Sequence, residues 1–275
     1  MLTITDFLKM KQNNEKITMI TAYDYPSAKQ VEEANVDCIL VGDSLGNTVL
    51  GYSSTTQVTL DNMIHHAKAV RRGAKNTFVA VDMPFMSYHA SLEDSIKNAT
   101  KLFQETDAQA IKIEGATDET LTLTKRLTDG GIPIIGHLGL TPQTVNVLGG
   151  FRVQGKDEAD SKKILEDAKR FEASGAAAIV LECIPKELGK LVTETINIPT
   201  IGIGAGADCD GQVLVYHDIL QYGVERLPKF VKTYANLNLY GTQAVANYVE
   251  DVKNNNFPLE EHTYKLKNMD ILPKV

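Results

Sequence analysis

Eight short runs of apolar, largely β-branched residues recur along the chain, separated for most of its length by longer amphipathic stretches. This alternation constrains the fold more than any other feature. The runs predict strands at 17–22, 37–42, 78–82, 110–113, 132–136, 176–181, 199–203 and 212–216. Several are almost continuously apolar (Ile-Leu-Val, Ala-Ile-Val-Leu), as expected of parallel strands covered by helices on their outer side. Between them the 3.6-residue period predicts helices at 26–35, 60–72, 92–106, 118–128, 158–174 and 186–195, with Thr59 and Ser91 placed as N-caps. Eight strands alternating with helices give an α/β chain, and right-handed crossovers close such a sheet into a (β/α)8 TIM barrel. The stretch 204–211 leaves room for only a very short helix between strands seven and eight. A helix near 6–11 is expected to cap the barrel's N-terminal end, and 240–253 to supply the last barrel helix.

The chain of 275 residues, 43% hydrophobic, suits a single barrel domain over 1–275 without linker or repeat. A formal net charge of −7 excludes the electrostatic footprint of a nucleic-acid binder, and Lys68, Arg71, Arg72 and Lys75 read as a solvated helix end. No apolar run reaches the roughly 20 residues of a membrane span. Three cysteines, with no CxxC pair, suit a reducing compartment, and the expected location is the cytoplasm.

The apolar runs give way to polar, chemically pointed residues. Strand two ends in Asp43-Ser44, strand three at Asp82, strand four at Lys112 and Glu114, strand five at His137 and strand six at Glu182. In a barrel these ends share one mouth, where barrel active sites lie. Each has a structural alternative: Asp82 before Met83-Pro84 could serve a turn, Lys112 and Glu114 could simply pair, and Glu182 reads equally as a salt-bridged strand end. Taken as a set they favour a site. Asp43, Asp82 and Glu114 are hard oxygen donors suited to Mg²⁺, which could chelate a 2-oxo acid and stabilise its enolate. Lys112 and His137 would hold the substrate carboxylate, and Glu182 is the candidate base. The Gly202, Gly204, Gly206 series lacks the GxGxxG spacing and reads as close backbone approach, not a phosphate cradle.

Several blocks resemble the ketopantoate hydroxymethyltransferase family: Cys38-Ile-Leu-Val-Gly-Asp-Ser-Leu-Gly46, Val81-Asp-Met-Pro-Phe-Met-Ser-Tyr88, Ile111-Lys-Ile-Glu-Gly115, Gly136-His-Leu-Gly-Leu-Thr-Pro-Gln143, Phe151-Arg-Val-Gln-Gly155, Val180-Leu-Glu-Cys-Ile-Pro185, Ile201-Gly-Ile-Gly-Ala-Gly206 and Asp210-Gly-Gln-Val-Leu-Val215. They occur in family order from about residue 17 to 231. The resemblance implies a phosphoenolpyruvate/pyruvate-superfamily barrel, Mg²⁺, 5,10-methylenetetrahydrofolate as co-substrate, α-ketoisovalerate as acceptor, and a decamer of stacked pentamers. It implies Asp43 and Asp82 as metal carboxylates, Glu114 as a direct or water-mediated third, Asp43, Ser44, Asp82, Lys112 and His137 as substrate contacts, and Glu182 as the base. The loop from Gly51 departs from the family pattern, with Ser53 and Gln57 where Asp and Pro are expected. Two alternatives stay open. One is a lyase or mutase of the same superfamily, although the Lys-Cys-Gly tripeptide common there is absent. The other is a non-catalytic assembly protein.

Overall fold

The computed structural model describes residues 1–224 and 226–267. Eight parallel strands close into a barrel in sequence order: β1 (Ile17–Thr21), β2 (Cys38–Val41), β3 (Phe78–Asp82), β4 (Ala110–Glu114), β5 (Ile134–Gly139), β6 (Ala178–Glu182), β7 (Thr200–Ile203) and β8 (Gly211–Leu214), with β8 pairing back to β1. The chain is thus a (β/α)8 TIM barrel, as the alternation predicts.

The helices of five or more residues, among those described, are α1 (Ile4–Gln12), α2 (Tyr25–Glu33), α3 (Leu60–Gly73), α4 (Leu92–Thr106), α5 (Asp118–Asp129), α6 (Glu158–Ala173), α7 (Lys186–Thr195), α8 (Tyr216–Leu220) and α9 (Leu237–Lys253). Side-chain caps start most of the outer ones: Asp24, Thr59, Ser91, Thr117 and Asp157 each accept a first-turn N–H. Helix α1 closes the N-terminal end of the barrel as expected. Its one buried residue, Phe7, meets the Phe78 ring edge-on with centroids 4.9 Å apart. Beneath it the inward side chains Met19, Leu40, Ala80, Ile135, Val180 and Val213 fill the barrel's lower interior. The outward parity of the same strands (Ile39, Val79, Val81, Ile111) packs beneath the helices.

Strands β4 and β5 run further than the apolar runs indicate. Glu114 and His137 are in the sheet and opposite one another in register, because backbone pairing continues through inward polar residues.

Two expected helices are corrected. No helix, even a very short one, joins β7 to β8; residues 204–210 form turns. Gly204 (φ +65°) and Gly206 (φ +92°) are left-handed and break any helical run. The turn is stapled instead by Asp210, whose Oδ2 accepts from Thr200 N (2.8 Å), Thr200 Oγ1 (3.1 Å) and Lys11 Nζ (2.9 Å). Nor does the C-terminal helix complete the barrel. The five-residue α8 takes that place with Tyr216 and His217 buried, whereas α9 buries no residue and leaves Leu239, Tyr240, Val245 and Tyr248 exposed. Among the described residues no helix is long and apolar enough to cross a membrane.

Asp210→Ala would remove the counter-charge of the Lys11 ammonium, leaving it only the Thr193 and Ile198 carbonyls, and would strand the Thr200 N–H. A loss of about 2–4 kcal/mol is expected, read as a lowered urea midpoint with unchanged slope.

Candidate active site

Strand periodicity of two puts Asp82 on β3, Lys112 and Glu114 on β4, His137 on β5 and Glu182 on β6 on the inward parity at the C-terminal mouth. The parallel register then sets neighbours: Asp82 pairs with Lys112, Glu114 with His137, and Gly139 with Glu182. Gly139 is required there. At φ +90°, a Cβ would lie 2.2 Å from the Glu182 carbonyl oxygen.

The side chains form one connected chain of contacts. Lys112 Nζ is 3.0 Å from Asp82 Oδ1 and 3.8 Å from Glu114 Oε1, and it lies 3.2 Å from His137 Nδ1. His137 Nδ1 is also 3.2 Å from Glu114 Oε1, while its Nε2 is 3.2 Å from Glu182 Oε2. Burial and the Lys112 charge push the imidazole's pKa down, but the two flanking glutamates outweigh them and carry it up to about 9. The two glutamates thus favour the charged imidazole, although Nε2 meets Glu182 as a charge contact and makes no aligned hydrogen bond. Glu114 is held below its usual range by His137, Lys112 and the Gln143 backbone N–H, against the effect of burial. Burial likewise disfavours the Lys112 charge, yet Asp82, Glu114 and Asp43 raise its pKa.

Asp43 and Ser44 follow β2 and reach the same cluster. The Asp43 backbone N–H donates to Asp82 Oδ2 at 3.1 Å, and the Ser44 hydroxyl pairs with the Tyr23 hydroxyl at 2.7 Å. Every residue singled out at the strand ends is thus brought to one mouth. Gln143 and Tyr88, which sequence reasoning did not single out, fasten the group from behind. Gln143 Nε2 donates to Asp43 Oδ2 (2.8 Å) and the Met83 carbonyl (2.9 Å), its backbone N–H donates to Glu114 Oε2 (3.1 Å), and its Oε1 accepts from Tyr88 Oη (2.7 Å). Both lie inside the quoted motifs, but an amide and a phenol carry no signal until the fold brings them to the carboxylates.

The mouth opens into a cavity of about 580 Å³, mid-range for a small-molecule pocket. It is lined by the polar cluster below and by Phe151, Val153, Val215, Pro228 and Phe230 above; Asp218 of α8 also reaches it. The glycine series does not form a phosphate cradle. A Cβ on Gly204 would lie 2.8 Å from the Phe230 ring, so that glycine seats a cavity wall, which is the close approach the sequence indicates.

The residues also fit a hard cation. Asp43 is driven well above its ordinary pKa by burial and by repulsion from Glu114 and Asp82, so positive charge is short beside it. Asp82 Oδ1 is buried with no aligned hydrogen-bond donor. Among the described residues no three Asp, Glu, His or Cys side chains gather closely enough to hold an ion between them. Both Glu114 oxygens face donors, His137 and the Gln143 N–H, and both Asp82 oxygens do as well, Lys112 and the Asp43 N–H, so a cation beside Asp43 would share Asp82 with Lys112.

The sequence profile of ketopantoate hydroxymethyltransferase matches residues 1–260. The chain belongs to that family. Among its relatives, the 3-methyl-2-oxobutanoate hydroxymethyltransferase of Bacillus cereus (strain G9842) is 58% identical over 272 residues, 99% of this chain and 98% of the relative. The enzyme of the same name from Bacillus thuringiensis (strain Al Hakam) is also 58% identical, over 99% of this chain and 97% of its own. Family membership makes the chain a hydroxymethyltransferase. Solved structures share its fold at low identity. Phosphonopyruvate hydrolase in complex with oxalate and Mg²⁺ aligns with a TM-score of 0.61 at 10% identity, covering 97% of this chain and 93% of its own. A 2,3-dimethylmalate lyase of the PEP mutase/isocitrate lyase superfamily aligns with a TM-score of 0.58 at 15% identity, covering 96% and 93%.

The departure from the family pattern in the loop after Gly51 is self-consistent. Gln57 Oε1 accepts from both the backbone N–H and the hydroxyl of Ser53, each at 3.1 Å, so the two replaced residues bind one another.

Gln143→Leu would remove the donors to Asp43 and Met83 and the acceptor for Tyr88 at one stroke, with the backbone contact to Glu114 untouched. A stability loss of about 2–4 kcal/mol is expected in urea unfolding, against about 1–2 kcal/mol for Tyr88→Phe. Equal, small effects would show that the Gln143 amide does not hold the cluster together.

Proposed function

We propose that this enzyme transfers a hydroxymethyl group from 5,10-methylenetetrahydrofolate to α-ketoisovalerate (3-methyl-2-oxobutanoate), giving ketopantoate through a Mg²⁺-stabilised enolate, in pantothenate and coenzyme A biosynthesis. The observation that carries this reading is the position of Glu182. Its side chain is 16% exposed at the cavity, whereas Glu114 and Asp82, at 3% and 4%, are shut away beneath it. A carboxylate at the wet edge of a buried cationic cluster is placed to take a proton from bound substrate, while those below supply charge.

Asp43 and Asp82 would hold Mg²⁺, with Glu114 joining through water. When bound, the ion polarises the substrate carbonyl and stabilises the enolate charge. The superfamily member solved with oxalate and Mg²⁺ supports this choice of ion. Lys112, His137 and Ser44 bind and orient the 2-oxo acid, with Lys112 and His137 neutralising its carboxylate; Asp43 and Asp82 touch the substrate from the metal side. Glu182 removes the C3 proton, and His137, whose Nε2 lies 3.2 Å from its Oε2, keeps the carboxylate beside the substrate. The resulting carbon nucleophile attacks the methylene carbon of the folate, and hydrolytic release of tetrahydrofolate leaves ketopantoate. The apolar upper walls exclude water while the nucleophile lasts.

We also read the chain as a cytoplasmic homo-oligomer, a decamer of stacked pentamers. The three free cysteines support the location, and the exposed apolar side chains of α9 support association of copies.

Incubation with α-ketoisovalerate and Mg²⁺ in D₂O, with the C3 proton followed by NMR, tests the chemistry. Metal-dependent exchange, and ketopantoate on adding the folate donor, are expected; neither exchange nor product would overturn the reading. Glu182→Gln should lower turnover about 10²–10⁴-fold while Mg²⁺ still binds. Asp82→Ala should shift the Mg²⁺ titration to higher concentration, and an unchanged titration would remove Asp82 from the metal pair.

A further inference from the structure

Each carboxylate of the strand-end cluster has a partner, but the cavity holds one more that does not belong to it. Asp218, the third residue of α8, lines the cavity beyond β8, and in the closed order of eight strands β8 lies opposite β4, which carries Lys112 and Glu114. Asp218 is half-buried, and burial alone pushes its pKa up to about 6, with no hydrogen bond or cation among the described residues to offset it. Removing a carboxylate partly from water without protein donors is costly, so a ligand that brings donors is favoured there.

The chemistry of that ligand is narrow. An ionised carboxylate accepts and does not donate, and its two oxygens match two parallel N–H groups. A 2-oxo acid presents only oxygen acceptors and a negative charge, so it is repelled from Asp218. The neighbouring walls bring Val215, just after β8, and Pro228 and Phe230 from the segment after α8, apolar groups that suit a flat ring, with Lys229 between the last two also lining the cavity. Gly204 admits the Phe230 ring, since a Cβ there would lie 2.8 Å from it. The cavity, at about 580 Å³, is larger than a five-carbon acid requires.

We propose that Asp218 anchors the pterin of the folate co-substrate, its carboxylate accepting from N3–H and the 2-amino group, with the ring lying against Val215, Pro228 and Phe230. This deepens the folate reading above and rests on it. The polar cluster then holds the acceptor acid while the opposite side of the same cavity holds the one-carbon carrier.

The test is calorimetric titration of the full-length protein with tetrahydrofolate and with its 2-desamino-2-methyl analogue, which lacks one of the two donors. Wild-type protein should bind the analogue at least tenfold more weakly. Asp218→Asn, which keeps the shape but turns one acceptor into a donor, should weaken tetrahydrofolate at least tenfold and leave the α-ketoisovalerate affinity within twofold. Asp218→Ala should bind tetrahydrofolate and the analogue equally. The proposal is overturned if wild type binds both folates alike, or if Asp218→Asn keeps its tetrahydrofolate affinity; either leaves the folate reading standing. Wild-type protein that binds no tetrahydrofolate overturns both. The analogue comparison needs no variant, so a misfolded substitution does not decide the matter.

Discussion

Lys112 lies inside the barrel with its ammonium between Asp82, Glu114 and His137, and the rest of the mouth depends on that buried charge. Asp43, Asp82 and Glu114 are all buried, and carboxylates so close cannot all stay ionised without compensation. Lys112 and the His137 imidazolium supply it in part, and the remainder shows at Asp43, which is pushed towards its neutral form. Asp82 is raised as well, so the cluster holds more carboxylate than the nearby positive groups balance. Its polar groups are also fixed in advance by Gln143, Tyr88 and the strand register, so binding an ion or acid would demand little rearrangement.

The barrel was legible because buried parallel strands are read from apolar runs, and helix starts from their caps; the expected 92–106 and 186–195 helices agree with the structure residue for residue. Strand ends were less so. Apolarity stops where the interior turns polar, but backbone pairing does not, which is why His137 proved to lie within β5. The crossover after β7 misled because a (β/α)8 pattern demands a helix, whereas two left-handed glycines and the Asp210 staple allow the chain to cross without one. The C-terminal helix was read as part of the barrel since an amphipathic period says that a face is covered and not by what.

The convergence of candidate residues at one mouth was legible where a charged residue stood at a strand end. Gln143 and Tyr88 were not, because their role exists only in the contacts they make. Asp218 was hidden differently: the apolar run of strand eight extends through Tyr216, so the search for polar ends stopped short of it, although it is the first acid beyond that strand. The low identities to phosphonopyruvate hydrolase and dimethylmalate lyase make the same point at the level of the fold. The barrel is common property, so it does not by itself carry a function.

The bond between Ser53 and Gln57 has a thermal consequence. A proline at 57 would restrict the unfolded chain, but in this chain it would also remove the N–H that donates to the Ser54 carbonyl at 3.2 Å. Here the order rests on an acceptor shared by two donors, an enthalpic hold at an exposed position, which water competes for more effectively as temperature rises. Thr55, inside this loop, is buried and forms part of the cavity wall. One edge of the pocket is thus held by a side-chain hydrogen-bond pair at the surface, and not by the barrel beneath it.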